Sequence, residues 1–391
     1  MFLGFDMIKK LKSMTTHLNL RPIVLLVFSW MLLISSSSLW AQKTELADKR
    51  ADFQQFIQKE LQPRLAQVLF DPEVAPDPAS FISFSKEIKM EMDTFWKEKG
   101  TGLSEEERQV FKADIQSVFV QLGQLYLNRA ETLKNKERVS FFEQFLVENS
   151  LLSEVETLSS DLSRSLVMGV HQSLMIPFGG PNHEIEAYIL EQEEPIRELL
   201  FAAFANTEID MLSEGYESGE RQFSAFSSDY PKSRFLGQLE KSLKSIEKLK
   251  TGQAVENFEF TDLDGNTVSL SDFKDKIIYL DFWATWCGPC ISTFKNKTPA
   301  FEKQLDGNEN IVLMYISVDE KSESWKNYLE KNPMKGVHLF AGKGFEADIM
   351  KYFKVWGIPR YLILDRGNTI HHVNAPRPGK EALEALNSIL E

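Results

Sequence analysis

Sulfur is what this sequence has least of. Two cysteines, Cys287 and Cys290, serve 391 residues, so no disulfide framework can staple the fold. There is no second CxxC, and His338, His371 and His372 have neither the number nor the spacing to complete four ligands, so no metal site is expected. Basic charge is also short: 44 Lys and Arg face 57 Asp and Glu, a formal net charge of −13. A general nucleic-acid binder needs clustered cations against phosphate, so that class is set aside. No fixed-period repeat marks a solenoid. The apolar run at residues 23–34 falls short of the ~20 residues that a bilayer span requires. What remains is ordinary for a globular protein, with 43% hydrophobic and 26% charged residues in a chain long enough for two or three domains.

The first forty or so residues have the pattern of an export signal. Lys9, Lys10, Lys12 and Arg21 form a basic segment, IVLLVFSWMLLI an apolar one, and SSSSLWAQ supplies small residues with Ala41 as the last before cleavage. Residues 1–41 are therefore expected to be a signal peptide, cleaved rather than kept as an anchor, with no cysteine nearby to carry a lipid. The mature chain is expected in the periplasm or cell envelope, with no stable membrane span.

Residues 42–222 repeat apolar positions at three- and four-residue steps, as in ADFQQFIQKELQPRLAQVLF and VFKADIQSVFVQLGQLYLNRAETL. Pro- and Gly-containing breaks separate the segments at Asp71, Glu98 and Ile176, and Ser104 before three glutamates is a helix-capping signal. This pattern predicts a mostly α-helical domain whose function is not legible in its residues. Residues 223–250 read as a turn and a basic amphipathic connecting helix. From residue 251 the period changes. ENFEFTDLDGNTVSLSDF alternates apolar and polar residues around Asp264-Gly265, a hairpin signal. KIIYLDFWAT and NIVLMYISVD are continuous apolar runs, as central strands covered on both faces require. CISTFKNKTPAFEKQL, SESWKNYLEKN, FEADIMKYFKV and PGKEALEALNSILE read as helices, and RYLILD and TIHHVN as a second hairpin. Residues 251–391 are thus expected to form an α/β layer fold with a central sheet flanked by helices.

Cys287 and Cys290 enclose Gly288-Pro289 where a buried strand gives way to a helix. At a helix N-terminus, unpaired N–H groups and the macrodipole favour a thiolate on Cys287. Positions i and i+3 of a first turn let the two sulfurs bond with little backbone movement, and Pro289 stiffens that turn. Trp286 offers an apolar docking surface. The chemistry this permits is dithiol exchange: Cys287 attacks a substrate disulfide, and Cys290 then displaces the product from Cys287. A purely structural bridge is a poor alternative, because so short a spacing closes almost no loop. Asp281 lies within the apolar run, where a carboxylate is costly unless it has partners or work. It is a candidate proton acceptor with a raised pKa, or else a hydrogen-bonded structural acid. Pro359, in WGIPRYLIL, is either trans at an edge or cis in a tight turn; if cis, it frees Ile358 to pair with an extended substrate.

FEFTDLDGNTVSLSDFKDK, YLDFWATWCGPC, ISVDE and GIPRYLILD, in that order, resemble the thioredoxin superfamily and, more closely, its exported TlpA/ResA branch. The resemblance covers only the last third or so of the chain. It implies a thioredoxin-like fold, with Cys287 attacking, Cys290 resolving and Asp281 serving the proton transfers. It also implies that Pro359 is cis and that the CGPC loop is similar to that of a reductant. Two positions depart from the branch. Thr293 stands where a glutamate is usual, and Asp281 stands where many members lack an acid. A peroxidase of the peroxiredoxin kind would need Pro at 280 and Thr at 284, and the residues are Leu280 and Ala284.

The expected protein is an exported thiol–disulfide oxidoreductase that needs no cofactor, takes protein or peptide disulfides, and is recharged by a membrane-embedded thiol donor. A non-catalytic assembly protein with a vestigial redox domain, or an isomerase or oxidant, is the alternative.

Overall fold

A computed structural model describes residues 45–70, 77–130, 133–174 and 182–390 of the chain. The segment read as an export signal lies outside the described residues, as do residues 71–76 and 175–181 at two of the expected breaks. Residues 53–390 fall in one compact unit. No helix among the described residues is long and apolar enough to cross a membrane.

The first part of the structure is helical: α1 (Glu45–Phe56), α2 (Gln62–Phe70), α3 (Pro78–Lys99), α4 (Glu105–Arg129), α5 (Asn135–Glu148), α6 (Leu151–Glu154), α7 (Ser160–Ser173), α8 (Asn182–Leu190), α9 (Ile196–Met211), α10 (Tyr216–Asp229) and α11 (Leu236–Ser245). Their starts follow from local chemistry. Asp77 accepts the backbone N–H groups of Ala79 and Ser80, each at 3.0 Å, and Pro78 occupies the first turn of α3. Ser104 and Glu107 form a reciprocal capping box on α4. Pro63 has no N–H to extend a regular ladder, and the chain passes through a π-turn at Ile57–Leu61 just before it.

Aromatic rings fill the core, with Tyr126 packed on Phe81 and Phe141 at 4.5 and 4.3 Å between centroids. Helix α9 is the central one, because every residue from Leu199 to Asn206 is buried. Helix α10 lies close against it at Gly219, where a Cβ would come within 2.9 Å of Ile209.

The remainder is α/β. Its strands are β1 (Glu259–Thr261), β2 (Thr267–Ser269), β3 (Ile277–Trp283), β4 (Ile311–Ser317), β5 (Val337–Phe340), β6 (Arg360–Asp365) and β7 (Thr369–His372). They form one sheet in the order β2-β1-β5-β4-β3-β6-β7. Strand β3 is central, parallel to β4 and antiparallel to β6, and all seven of its residues are buried. Alternation sends Tyr279, Asp281 and Trp283 to one face.

Helices α12 (Gly288–Asn296), α13 (Thr298–Leu305), α14 (Ser322–Lys331), α15 (Asp348–Tyr352) and α16 (Lys380–Leu390) flank the sheet. On the Tyr279 face, Phe294 of α12 packs on Trp283 and Phe301 of α13 on Tyr279. Ala382 and Leu386 of α16 join the same core. The sequence reads 290–305 as one helix; the structure breaks it at Lys297 (φ −123°), because Pro299 in the first turn of α13 cannot continue the ladder. Helix α15 is likewise shorter than its apolar pattern, starting only after a 3₁₀ turn at Gly344–Glu346.

The capping box gives the helical region a simple test. Ser104→Ala should lower the free energy of unfolding by about 1 kcal/mol, read as a lower urea midpoint at unchanged slope.

Candidate active site

Strand β3 ends at Trp283, and four residues later Cys287 is the N-cap of α12. The intervening loop is braced by Asp319, just past the end of β4. Its buried carboxylate accepts the Thr285 N–H at 3.0 Å, the Thr285 hydroxyl at 2.7 Å and the Ser317 hydroxyl at 2.8 Å.

Cys287 and Cys290 are joined by a disulfide, with Cα atoms 5.3 Å apart. The Cys290 N–H donates to Cys287 Sγ at 3.2 Å. The expected N-terminal anion site is therefore present as a contact, and Cys287 holds the cap position that Ser or Asp often takes. Cys290 is fully buried, and Cys287, the expected attacking sulfur, is only 3% exposed in this oxidised form.

Two large exposed side chains at this end of the sheet are aromatic. Trp286 is 58% exposed and Trp356 44%. The ring of Phe345 lies 6.2 Å from that of Trp286. The Ile358-Pro359 bond is cis. Among the described residues no backbone group pairs with Ile358, since the β3–β6 ladder ends at the Phe282–Arg360 pair.

Asp281 is buried in β3, with Tyr315 and Tyr361 as its partners in the neighbouring strands. Neither carboxylate oxygen has a hydrogen-bond partner among the described residues. Of the two sequence readings, the hydrogen-bonded structural acid is therefore not what the structure contains. Burial pushes the Asp281 carboxyl well above its ordinary range, and the positive charge of Arg377 opposes this only in part. The phenols of Tyr279 and Tyr361 are pushed up as well, by burial first and then by the charge of Asp281, and that of Tyr315 by burial, then Glu302, then Asp281. Tyr279 and Tyr315 donate outward, to the Pro376 carbonyl at 2.7 Å and to Glu302 at 3.2 Å, and not to Asp281.

Thr293 is buried, and its hydroxyl donates to the Pro289 carbonyl at 3.1 Å. It offers no titrating group. The structure thus gathers Cys287, Cys290, Trp286, Ile358 and Pro359 at one end of the sheet, with Asp281 inside β3 on the face that α12 covers. Sequence reasoning missed two contributors. Asp319 sits in the ISVDE stretch, but its bond to Thr285 spans 34 positions. Arg377 acts on Asp281 from a loop after the last strand, and nothing local marks it.

Residues 275–370 match the Thioredoxin-like family. The thiol-disulfide oxidoreductase ResA of Bacillus thuringiensis subsp. konkukian is 28% identical over 144 residues, covering 37% of this chain and 80% of the relative. The thioredoxin-like protein YneN of Bacillus subtilis is 27% identical over 140 residues, covering 35% and 78%. Among solved structures, the thioredoxin domain of a thiol-disulfide oxidoreductase from Bacteroides vulgatus matches at 23% identity and a TM-score of 0.33, covering 37% of this chain and 99% of that one. A mixed sheet flanked by helices, with a cysteine pair at the mouth of a helix, defines the thioredoxin-like class. The C-terminal third of this chain is similar to that family and to the ResA thiol–disulfide oxidoreductases, and this likeness together with the bonded cysteine pair supports an oxidoreductase.

The buried acid sets a pH signature. A carboxyl whose pKa is raised on folding contributes stability below its unfolded value, about 3.9, and that contribution is lost as pH rises through the folded value. Wild-type stability, followed by urea unfolding from pH 4 upward, should therefore decline through this window. Asp281→Asn should flatten the decline and leave the protein more stable than wild type at neutral pH.

Proposed function

We propose that this protein is an exported disulfide reductase acting on protein or peptide substrates. The observation that carries the reading is the Cys287–Cys290 bridge with its N–H contact at the start of α12, set beside exposed Trp286 and above an unpartnered buried acid.

In the reduced enzyme, the Cys287 thiolate attacks one sulfur of a substrate disulfide. That bond breaks, and the departing substrate sulfur leaves as a thiolate that takes a proton. The mixed disulfide lies against Trp286 and the free backbone of Ile358, with cis-Pro359 shaping the groove. Cys290 is buried and must lose its proton before it can attack. Asp281, whose carboxyl is pushed well above its ordinary range by burial, accepts that proton. The Cys290 thiolate then displaces the second substrate sulfur from Cys287. Two electrons have passed to the substrate and the Cys287–Cys290 disulfide remains, as in the structure.

The basic, apolar and small-residue sequence at residues 1–41 supports export to the periplasm or cell envelope. An enzyme there has no direct access to cytosolic reductant, so a membrane-embedded thiol donor recharges the pair. The Gly288-Pro289 spacer, similar to that of thioredoxin, supports reduction as the direction.

Insulin reduction tests this reading. Wild type supplied with dithiothreitol should precipitate the insulin B chain, and Cys287→Ser should lower the rate by at least about a thousandfold. Cys290→Ser should accumulate a mixed disulfide on Cys287 that mass spectrometry identifies. Equal inactivity of wild type and Cys287→Ser would end the enzyme reading.

A further inference from the structure

The substrate-facing loop, residues 354–360, carries exposed Trp356, the free backbone of Ile358 and cis-Pro359, and both of its ends are tied to the helical region. At one end, Lys354 adopts a left-handed backbone (φ 49°). Its ammonium donates to Ser245 Oγ at 3.2 Å, at the last residue of α11. It also lies 4.0 Å from Asp210, near the end of α9, a buried carboxylate that Arg164 holds at 2.8 Å. At the other end, the guanidinium of Arg360 donates to the Met211 carbonyl, the last of α9, at 3.2 Å. Its remaining bonds go to the Val373 carbonyl at 3.2 and 3.0 Å.

Both cations sit at C-terminal ends of helices, where the macrodipole is negative, and Arg360 gives the orphan Met211 carbonyl a donor. Asn374 adds a third tie, donating to the Ser213 carbonyl at 2.9 Å. By contrast, among the described residues no hydrogen bond or ion pair joins residues 284–290 to the helical region. The helical region therefore grips the substrate loop and leaves the cysteine loop alone.

We propose that Lys354 and Arg360 are positioning residues through which helices α9 and α11 hold the 354–360 loop in its substrate-binding shape. The inference rests on the oxidoreductase reading above and assigns the helical region a part in it. Substrate meets a loop already ordered, so less conformational freedom is lost when an extended segment pairs with Ile358. The electron chemistry of the Cys pair does not depend on the clamp, and the two can be separated.

The experiment uses the full chain, with insulin as substrate, and measures KM, kcat and the equilibrium of the Cys pair with glutathione. Arg360→Met should raise KM by roughly five- to twentyfold, and Arg360→Lys, which keeps a donor, should recover part of the loss. Lys354→Met and Asp210→Asn should each raise KM by a smaller factor. In all of them kcat and the glutathione equilibrium should stay within about twofold of wild type. Asp210→Asn leaves the α/β sequence intact and carries the test if Arg360→Met does not fold. Unchanged KM in an active enzyme overturns the clamp, as does a loss in which KM, kcat and the glutathione equilibrium move together. A wild type that does not reduce insulin sinks the oxidoreductase reading and the clamp with it.

Discussion

At the start of α12 the N–H of Cys290 points at the sulfur of Cys287 from 3.2 Å, and Pro289 between them has no N–H to offer. A helix must place its first N–H groups somewhere, and here one of them meets a sulfur. The contact favours the charged form of that sulfur, the form that attacks a disulfide. The surrounding architecture serves to keep it in place. Strand β3 delivers the chain to the helix from a fully buried position, Asp319 fixes Thr285 on the approach, and Phe294 locks α12 onto Trp283.

The second constraint is the acid beneath that helix. A carboxylate with no hydrogen-bond partner in a sheet interior is destabilising, and the charge of Arg377 offsets this only in part. Tyr279 and Tyr315, which could have satisfied it, donate elsewhere. In the proposed mechanism this is the group that exchanges a proton with the buried thiol, and burial pushes its carboxyl well above the ordinary range. Thr293, bonded within its own helix, supplies no acid on this face.

Most of the α/β region was legible in the sequence because its signals are local. The apolar run 276–285 is a central strand, Asp264-Gly265 turns a hairpin with Gly265 at φ 89°, and CGPC opens a helix. In the helical region Ser104 capped the helix it was expected to cap. What failed were boundaries set by single residues, such as the break at Lys297 ahead of Pro299. Contacts between positions far apart in the chain were not legible at all. Arg360 reads as the first residue of a strand, and its bond to Met211 spans 149 positions. Thr285 and Asp319 have the same character at shorter range. A pattern of apolar spacing records which face is buried, but not which polar group waits on the other side.

The most direct measurement is the pH dependence of iodoacetamide alkylation at Cys287 in the reduced protein, with each cysteine followed separately by mass spectrometry. A midpoint well below the ~8.5 of an ordinary thiol is expected, with Cys287 modified far faster than Cys290 at neutral pH. A midpoint at or above the ordinary value, or equal rates at the two sulfurs, would contradict the thiolate at the mouth of α12.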